Sequence, residues 1–326
     1  MKKFRNKGFV IALASILIVG SSFISCGTNA EESKNKTNTE SNSNNSENNP
    51  NEEVSTQNKK NSTEEVPTKE NTNLETSNKE EKVSTGEIEN DENKNRFEGL
   101  KTTIEDMNIP VLCYHDVTPN NPDNNELLLS PEKFREQLQY LKDNDYAPLT
   151  LNEFYNYLKK SEPVPEKSVL ITFDDGYKGN YEYAYPILKE FNFPATFFII
   201  SNFIGSPDFM TAEEIKEMSD NGIDIESHTA KHEDLSTLDE ASQLETFKNS
   251  KEVLEEIIKE PIEFIAYPFG RHNPSTRIAA EKAGYKLGFN LNGEFADRSD
   301  NNYNIDRIYV SNNYSIQKFE DRLKGK

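Results

Sequence analysis

Two adjacent aspartates and two histidines are the residues of this sequence whose types and spacing could do hydrolytic chemistry. Asp174 and Asp175 follow a mostly apolar run and precede a glycine, in the stretch ITFDDGY. His228 and His232 lie about fifty residues further on, in the stretch SHTAKH. Two histidines and one carboxylate, with other coordination positions open, form a familiar site for a divalent metal ion that activates water.

The two adjacent aspartates are expected to do different jobs. In a strand, or just past its end, successive side chains point to opposite sides. The two carboxylates are therefore expected to divide the work at one centre. Each pattern alone is a weak signal, because DDG most often marks a turn and an isolated H-x-x-x-H seldom binds metal. Together they indicate a hydrolytic metal site.

The elements that must position these side chains are short apolar runs that alternate with amphipathic helices from about residue 105. Seven strands are predicted, at residues 110–114, 169–173, 195–200, 223–226, 263–266, 286–290 and 305–310. Helix boundaries are indicated by capping boxes and by proline or glycine, at Thr150/Glu153, Thr211/Glu214, Asn273-Pro274 and Gly222. This alternation predicts an α/β fold with a mainly parallel sheet closed or nearly closed into a barrel, whose functional residues lie at the carboxyl ends of the strands.

TFDDGY followed by SHTAKH resembles the first two motifs of the polysaccharide deacetylases, the NodB-homology domains of carbohydrate esterase family 4. The resemblance covers roughly residues 105 to 315. It implies a distorted (β/α) barrel, similar to a TIM barrel, of about seven strands. It also implies that Asp174 is the general base and that a divalent metal ion, most often zinc, is held by Asp175, His228 and His232.

The third motif of that family is usually Arg-x-Pro-Tyr, and the stretch AYPFG stands in its place here. The resemblance implies that the backbone N–H of Phe269 helps to hold the oxyanion, a task that needs no hydroxyl group. The arginine that orients the base in the family is missing. Arg307, in the last predicted strand, could replace it, and an exposed or structural ion pair is an equal alternative.

In the family that this sequence resembles, the fifth motif normally supplies a histidine near the C-terminus as general acid, but no histidine follows His272 here. His115 follows the first predicted strand, in PVLCYHDV, and this layout resembles the circularly permuted branch of the family, which includes deacetylases of poly-β-1,6-N-acetylglucosamine. The first and last strands of a closed barrel are neighbours, so the order of the motifs does not change the site. The resemblance implies that His115 is the general acid; a strand-end histidine satisfied by hydrogen bonds is the alternative. Asp116 could orient it or be a solvated loop residue.

Substrate contacts are predicted less directly than the catalytic residues. Tyr177, Tyr267 and Phe203 are candidates for stacking on sugar rings, with packing in the core or at the rim as the alternative for each. His272 could touch the sugar or lie in a surface loop. Cys113 lies in an apolar strand, which favours a buried, inert thiol, and no disulfide is expected.

The first 100 residues are predicted to export and tether the protein. Residues 1–25 carry basic residues before an apolar run of about eleven residues, too short for a stable bilayer span and typical of a signal peptide. Their end resembles the lipobox of bacterial lipoproteins, which predicts lipid on Cys26 and an extracellular, membrane-anchored chain; full secretion is the alternative. Residues 26–100, rich in Asn, Ser, Glu and Lys, are predicted to form a disordered tether, and residues 101–326 the deacetylase domain.

The net charge of −20 argues against nucleic acid as a partner. The resemblance implies a metal-dependent enzyme, expected to be a monomer, that removes N-acetyl groups from poly-N-acetylglucosamine, a biofilm exopolysaccharide. Deacetylation of peptidoglycan or chitooligosaccharides is the enzymatic alternative. A glycan-binding protein that has lost catalysis is the alternative of another class, because the third-motif arginine is missing.

Overall fold

The structure, a computed structural model, describes residues 96–325. The predicted signal peptide, the lipidation site Cys26 and nearly all of the predicted tether therefore lie outside the described residues. Arg96 is already anchored to the fold, because its guanidinium donates to Glu153 at 2.6 Å. Tertiary contacts thus begin a few residues before the predicted domain boundary at 101. In the described part of the chain, no helix has the length and apolar character needed to cross a membrane.

Short strands alternate with helices through most of the described chain. Twelve strands lie within residues 96–325, and β1 to β12 are Thr102–Thr103, Val111–Tyr114, Asp116–Val117, Leu128–Leu129, Ala147–Pro148, Val164–Pro165, Ser168–Phe173, Thr196–Ile199, Asp224–Ser227, Phe264–Ala266, Leu287–Phe289 and Ile308–Tyr309. The α-helices of the same residues, α1 to α7, are Pro131–Asp143, Leu151–Lys160, Tyr185–Phe191, Ala212–Asp220, Glu240–Ile258, Pro274–Lys282 and Ile316–Leu323. A π-helical turn, Asn180–Ala184, leads into α3.

The main sheet is parallel and curled. Its strands run in the order β11-β10-β9-β8-β7-β2-β12, and β5 pairs with β7 beside this path. Beyond β11, the backbone of Gly288 donates to Asn302 at 2.8 Å and accepts from Ile305 at 2.9 Å. The chain that leads into β12 thus follows β11, while β12 itself pairs with β2. The predicted barrel architecture is confirmed. The last strand, β12, lies beside β2, which corresponds to the first strand predicted from the sequence.

All seven predicted strands are present, most of them within two residues of the predicted ends. The prediction for residues 305–310 was too long, because only Ile308–Tyr309 pairs as a strand and Ile305 forms an isolated bridge to Phe289. Sequence patterning missed β5, which has two residues and contains a proline. The predicted caps are confirmed: side chains of Thr150, Thr211 and Asn273 accept from the first turns of α2, α4 and α6.

The core explains why the central strand has an apolar sequence. All six residues of β7 are buried, and they alternate between two apolar clusters: Val169, Ile171 and Phe173 belong to one and Leu170 to the other. A parallel strand covered on both faces has this near-continuous apolar character. Because β7 lies in the middle of the sheet, the two aspartates that follow it emerge at the centre of the carboxyl edge.

Candidate active site

The parallel register brings the candidate residues to one edge of the sheet. Tyr114 pairs with Phe173 in adjacent strands, so His115 and Asp174 follow at the same level, and the Asp174 N–H donates to the Tyr114 carbonyl at 3.0 Å. His228 follows β9, and its N–H donates to the carbonyl of Ile199 at the end of β8. Residues that follow three strands, β2, β7 and β9, thus meet at the carboxyl edge of the sheet, where the sequence analysis predicted the functional residues.

Asp175, His228 and His232 form the candidate metal group. Oδ1 of Asp175 lies 3.4 Å from Nε2 of His228 and 3.3 Å from Nε2 of His232. One donor atom from each residue lies within 4.8 Å of the other two. Asp175 adopts a positive φ of 74° and is followed by Gly176 at 86°, and a side chain at Gly176 would press on Ile199. The tight turn therefore needs this glycine to aim the Asp175 carboxylate at the histidines.

The chemistry of this donor set fits a divalent cation. Oδ1 of Asp175 is buried and accepts no hydrogen bond from the described residues, although buried carboxylate oxygens are normally satisfied. Nδ1 of His228 lies 2.8 Å from the Ala266 carbonyl, which assigns its proton to Nδ1 and leaves the Nε2 lone pair directed at Asp175. Two imidazole nitrogens and one carboxylate oxygen are donors that suit zinc with open positions.

The pKa values of the two imidazoles move in opposite directions. Burial would lower the pKa of His228, but the charges of Asp174 and Asp175 outweigh it and the pKa is raised. Burial, reinforced by His228, lowers the pKa of His232 to about 4. The pKa of Asp175 is lowered, because the neighbouring imidazoles of His228, His115 and His232 outweigh its burial. A cation bound by these residues requires both imidazoles neutral and the carboxylate ionised.

Asp174 is held by Arg307 from the last strand. The two terminal nitrogens of the guanidinium donate to the two carboxylate oxygens at 2.7 Å each, and Nε of Arg307 donates to the carbonyl of Asn290. Both side chains are buried, with Arg307 fully inaccessible. Arg307 thus forms a buried bidentate ion pair with the predicted base, the contact expected if it replaces the missing third-motif arginine.

The ion pair keeps the Asp174 carboxylate charged. Burial alone would raise the pKa of Asp174, but the positive charge and hydrogen bonds of Arg307 overcome it and lower the pKa strongly. Sγ of Cys113 lies 3.4 Å from Oδ2 of Asp174, so the thiol is buried as predicted but also contacts the predicted base. This contact was not predictable from the sequence, because Cys113 resembles any other apolar residue of a buried strand.

His115 lies beside Asp174. One of its ring nitrogens is within 4.8 Å of an Asp174 oxygen, and Asp174 in turn lies 3.9 Å from Nε2 of His228. Burial lowers the pKa of His115, although Asp175 and Asp174 oppose this effect. Nδ1 of His115 is buried and finds no partner among residues 96–325, and its ring packs edge-on against Tyr309. The chain that follows β2 therefore places the titratable imidazole of His115 beside Asp174.

Phe269 lies on the histidine side of the site. Its ring centroid is 4.5 Å from that of His232, and 49% of the residue remains exposed. Its backbone has a positive φ of 60°, within the short helical turn Pro268–Gly270. The predicted oxyanion donor is thus beside the candidate metal ligands, in a conformation that non-glycine residues seldom adopt.

The three predicted sugar-stacking residues differ in their surroundings. Tyr267 is fully buried and its hydroxyl donates to the Tyr303 carbonyl at 3.1 Å, so it belongs to the core and the prediction of a sugar contact was wrong. Tyr177 stacks on Phe209 at 5.1 Å, and Phe203 packs edge-on against the same ring at 4.9 Å. These three partly exposed rings form an aromatic rim, in which Phe209 was missed by the sequence analysis.

The family relationship follows from comparison with known proteins. The sequence model of the polysaccharide deacetylase family matches residues 161–288. The chain is 37% identical to YxkH of Bacillus subtilis, named for the same family, over 65% of this chain and 74% of that protein. It is 36% identical to a poly-β-1,6-N-acetyl-D-glucosamine N-deacetylase of Staphylococcus aureus, over 56% of this chain and 68% of that protein.

Solved structures agree with these sequence relationships. The deacetylase PplD of Streptococcus pyogenes, in complex with acetate, matches with a TM-score of 0.64 and 32% identity, over 67% of this chain and 99% of that one. IcaB of Ammonifex degensii matches with a TM-score of 0.59 and 27% identity, over 67% of this chain and 97% of that one. The chain belongs to the polysaccharide deacetylase family. It is a hydrolase of carbon–nitrogen bonds other than peptide bonds, a polysaccharide N-deacetylase.

Proposed function

We propose that this protein removes N-acetyl groups from extracellular poly-β-1,6-N-acetylglucosamine and releases acetate. The observation that carries this proposal is the meeting of His115, which follows β2, with Asp174 and with the group formed by Asp175, His228 and His232. The same order of motifs was the basis for the resemblance to the permuted branch. A relative at 36% identity is named for deacetylation of this polymer.

The chain's own residues can divide the reaction among them. When bound by Asp175, His228 and His232, a divalent cation, zinc in this proposal, supplies a Lewis acid for the attack of water on the acetyl carbonyl. Asp174 accepts the proton of the attacking water, and Arg307 keeps that carboxylate ionised and oriented. The backbone N–H of Phe269 stabilises the negative charge that develops on the carbonyl oxygen.

His115 completes the reaction by protonating the leaving group. The carbon–nitrogen bond breaks as the imidazolium gives its proton to the departing amine, which yields acetate and a glucosamine residue. Because burial lowers the pKa of His115, the imidazole is mostly neutral at pH 7 and has to gain its proton before the bond breaks. Asp174, within 4.8 Å, can pass on the proton that it took from water.

The location of the enzyme is part of the same proposal. Cys26 carries lipid that anchors the chain outside the cell membrane, and residues 26–100 form the tether. Support comes from the basic residues and short apolar run before Cys26 and from the polar composition after it.

Acetate release by the purified chain tests this function. The chain is offered β-1,6-linked and β-1,4-linked N-acetylglucosamine polymers side by side, with and without EDTA. The expected result is EDTA-sensitive release that is faster from the β-1,6-linked polymer. Preference for the β-1,4-linked polymer would assign the protein to peptidoglycan or chitin-type glycans, and no release from either polymer would favour a glycan-binding protein.

A further inference from the structure

Two loops that build the histidine side of the site share a strained backbone. The histidine loop, residues 228–234, has His232 at φ 60°, and the aromatic loop, residues 267–271, has Phe269 at φ 60° and Gly270 at φ 67°. A side chain at Gly270 would come within 2.6 Å of the Leu291 backbone, so the aromatic loop packs tightly against the chain at Leu291. Left-handed backbone at a non-glycine residue persists only where surrounding contacts enforce it.

Arg271 makes the side-chain contacts that connect these two loops at the surface. Nη1 of Arg271 donates to Oδ2 of Asp234 at 2.7 Å, two residues beyond His232. Its guanidinium also lies 5.6 Å from the centre of the Phe269 ring, and that ring packs on the His232 ring at 4.5 Å. Arg271, Phe269 and His232 therefore lie in one row of contacts, with the two rings tilted by 60°. The ion pair between Arg271 and Asp234 connects the two ends of this row through the histidine loop.

The carboxylate of Asp234, which pairs with Arg271, is held in place by Ser236. Its other oxygen, Oδ1, accepts from the backbone N–H of Ser236 at 3.1 Å and from the Ser236 hydroxyl at 2.6 Å. The carboxylate thus caps the short turn Leu235–Thr237 while it pairs with Arg271. A planar guanidinium can make an ion pair in its plane and stack on a ring through its face, which an ammonium group cannot reproduce.

We propose that Arg271 is a positioning residue, which fixes the backbone of Phe269 and the imidazole of His232 relative to each other through the Phe269 ring and Asp234. Its kinetic consequences rest on the proposed deacetylase function. A misplaced oxyanion donor weakens an interaction made in the transition state and leaves substrate binding unchanged. A shifted His232 alters the geometry of a metal bound beside it, with or without substrate.

The loops keep other connections when Arg271 is changed. Nδ2 of Asn273 donates to the Ser236 carbonyl at 3.1 Å, and Nε2 of Gln243 donates to the Leu235 carbonyl at 2.8 Å. Asn273 lies two residues beyond the aromatic loop and Ser236 two residues beyond the histidine loop, so their exposed contact still joins the two segments. The buried contact of Gln243 fixes the chain after the histidine loop to α5. Replacement of Arg271 by glutamine is therefore expected to leave the protein folded, and a thermal unfolding scan of each variant checks this.

The test compares Arg271→Gln, Arg271→Lys and Phe269→Ala with Lys282→Gln, which breaks an exposed ion pair to Glu240 away from the site. Two measurements are made on the 326-residue chain: kcat and KM for acetate release, and the visible absorption of the Co²⁺-substituted protein without substrate. Arg271→Gln is expected to lower kcat about tenfold at constant KM, a fraction of the loss seen when an oxyanion donor is removed, and to change the Co²⁺ spectrum. Arg271→Lys should recover less than half of the lost kcat, and Lys282→Gln should match the parent chain.

A double variant separates positioning from ordinary stabilisation. If Arg271 acts through the Phe269 ring, then Arg271→Gln should have little further effect on kcat in a Phe269→Ala background. Additive losses, or an Arg271→Gln variant with parent-like kcat and Co²⁺ spectrum but a lower unfolding temperature, would overturn the proposal. Because the Co²⁺ spectrum needs no substrate, it decides the question for His232 even if the proposed polymer is not deacetylated.

Discussion

Asp174 and Asp175 are neighbours in the chain and are almost equally buried, yet they belong to two different regions of the site. The arginine region surrounds Asp174, where Arg307 occupies both carboxylate oxygens at 2.7 Å. The histidine region surrounds Asp175, where one buried oxygen accepts no hydrogen bond from residues 96–325 and faces two imidazole nitrogens. The comparison shows that partners, and not residue type or burial, give each carboxylate its role.

The physical difference lies in what each region can still bind. A carboxylate already neutralised by a fixed guanidinium gains little from a second cation, but it can receive a proton for the short time that a reaction step needs. Arg307 lowers the pKa of Asp174 and makes it a weak base, so in the proposed mechanism the water that it deprotonates has to be acidified by its surroundings. The histidine region, whose three donor atoms lie within 4.8 Å of one another, is suited to hold the cation that would do this.

Removal of a predicted metal ligand from the histidine region should have the largest effect on activity. His228→Ala or Asp175→Asn is expected to abolish metal binding and reduce acetate release to background, because two protein ligands rarely retain zinc at a site that uses three. Metal content by atomic emission after dialysis, measured alongside activity, checks this. A variant that keeps its metal would show that these residues are not the ligands.

Change of the base should separate the two regions. Asp174→Asn is expected to lower kcat by about 10²–10⁴-fold, the usual contribution of a general base, while the chain keeps a full equivalent of metal. The matched measurement is metal content against that of Asp175→Asn, the neighbouring position with the same change. Loss of metal in both variants would mean that the two carboxylates share one role.

Removal of the arginine should show that the arginine region depends on pairing. Arg307→Met leaves a buried carboxylate without its partner and is expected to lower the free energy of unfolding by about 3–5 kcal/mol. Asp174→Asn combined with Arg307→Met should recover much of that stability, but not activity, because no uncompensated charge remains buried. Urea denaturation of the parent, both single variants and the double variant gives the coupling. Equal stability of Arg307→Met and the parent chain would contradict a buried ion pair.

Acidification should act on the histidine region through competition between protons and metal. Since an imidazole must be neutral to bind metal, the apparent metal dissociation constant is expected to rise about tenfold per unit as pH falls below the raised pKa of His228. It should rise more steeply below about pH 4, where His232 also takes a proton. Chelator-competition titrations from pH 3 to 8 measure this. In Asp174→Asn one nearby negative charge is lost, so its metal affinity should persist to lower pH than that of the parent.

Local patterns in the sequence were enough to predict much of the fold and the candidate metal group of the site. The seven sheet strands could be predicted because a parallel strand buried on both faces has an apolar run that ends at a turn, as in ITFDDGY. The group of Asp175, His228 and His232 could be predicted because each member lies in a short motif at the end of such a strand. The two-residue strand β5 and the extent of β12 were not predictable, because pairing there depends on neighbouring backbone and not on side-chain pattern.

What the sequence alone determined, therefore, is which residue types stand at the strand ends; the tertiary structure decided which of them are partners. Arg307 is 133 residues from Asp174 along the chain and meets it because β12 lies beside β2, which lies beside β7. The same packing buried Tyr267 in the core and placed Cys113 against the base. A buried charge is stabilised by whichever opposite charge the neighbouring strand presents, and strand neighbours are set by how the whole sheet closes.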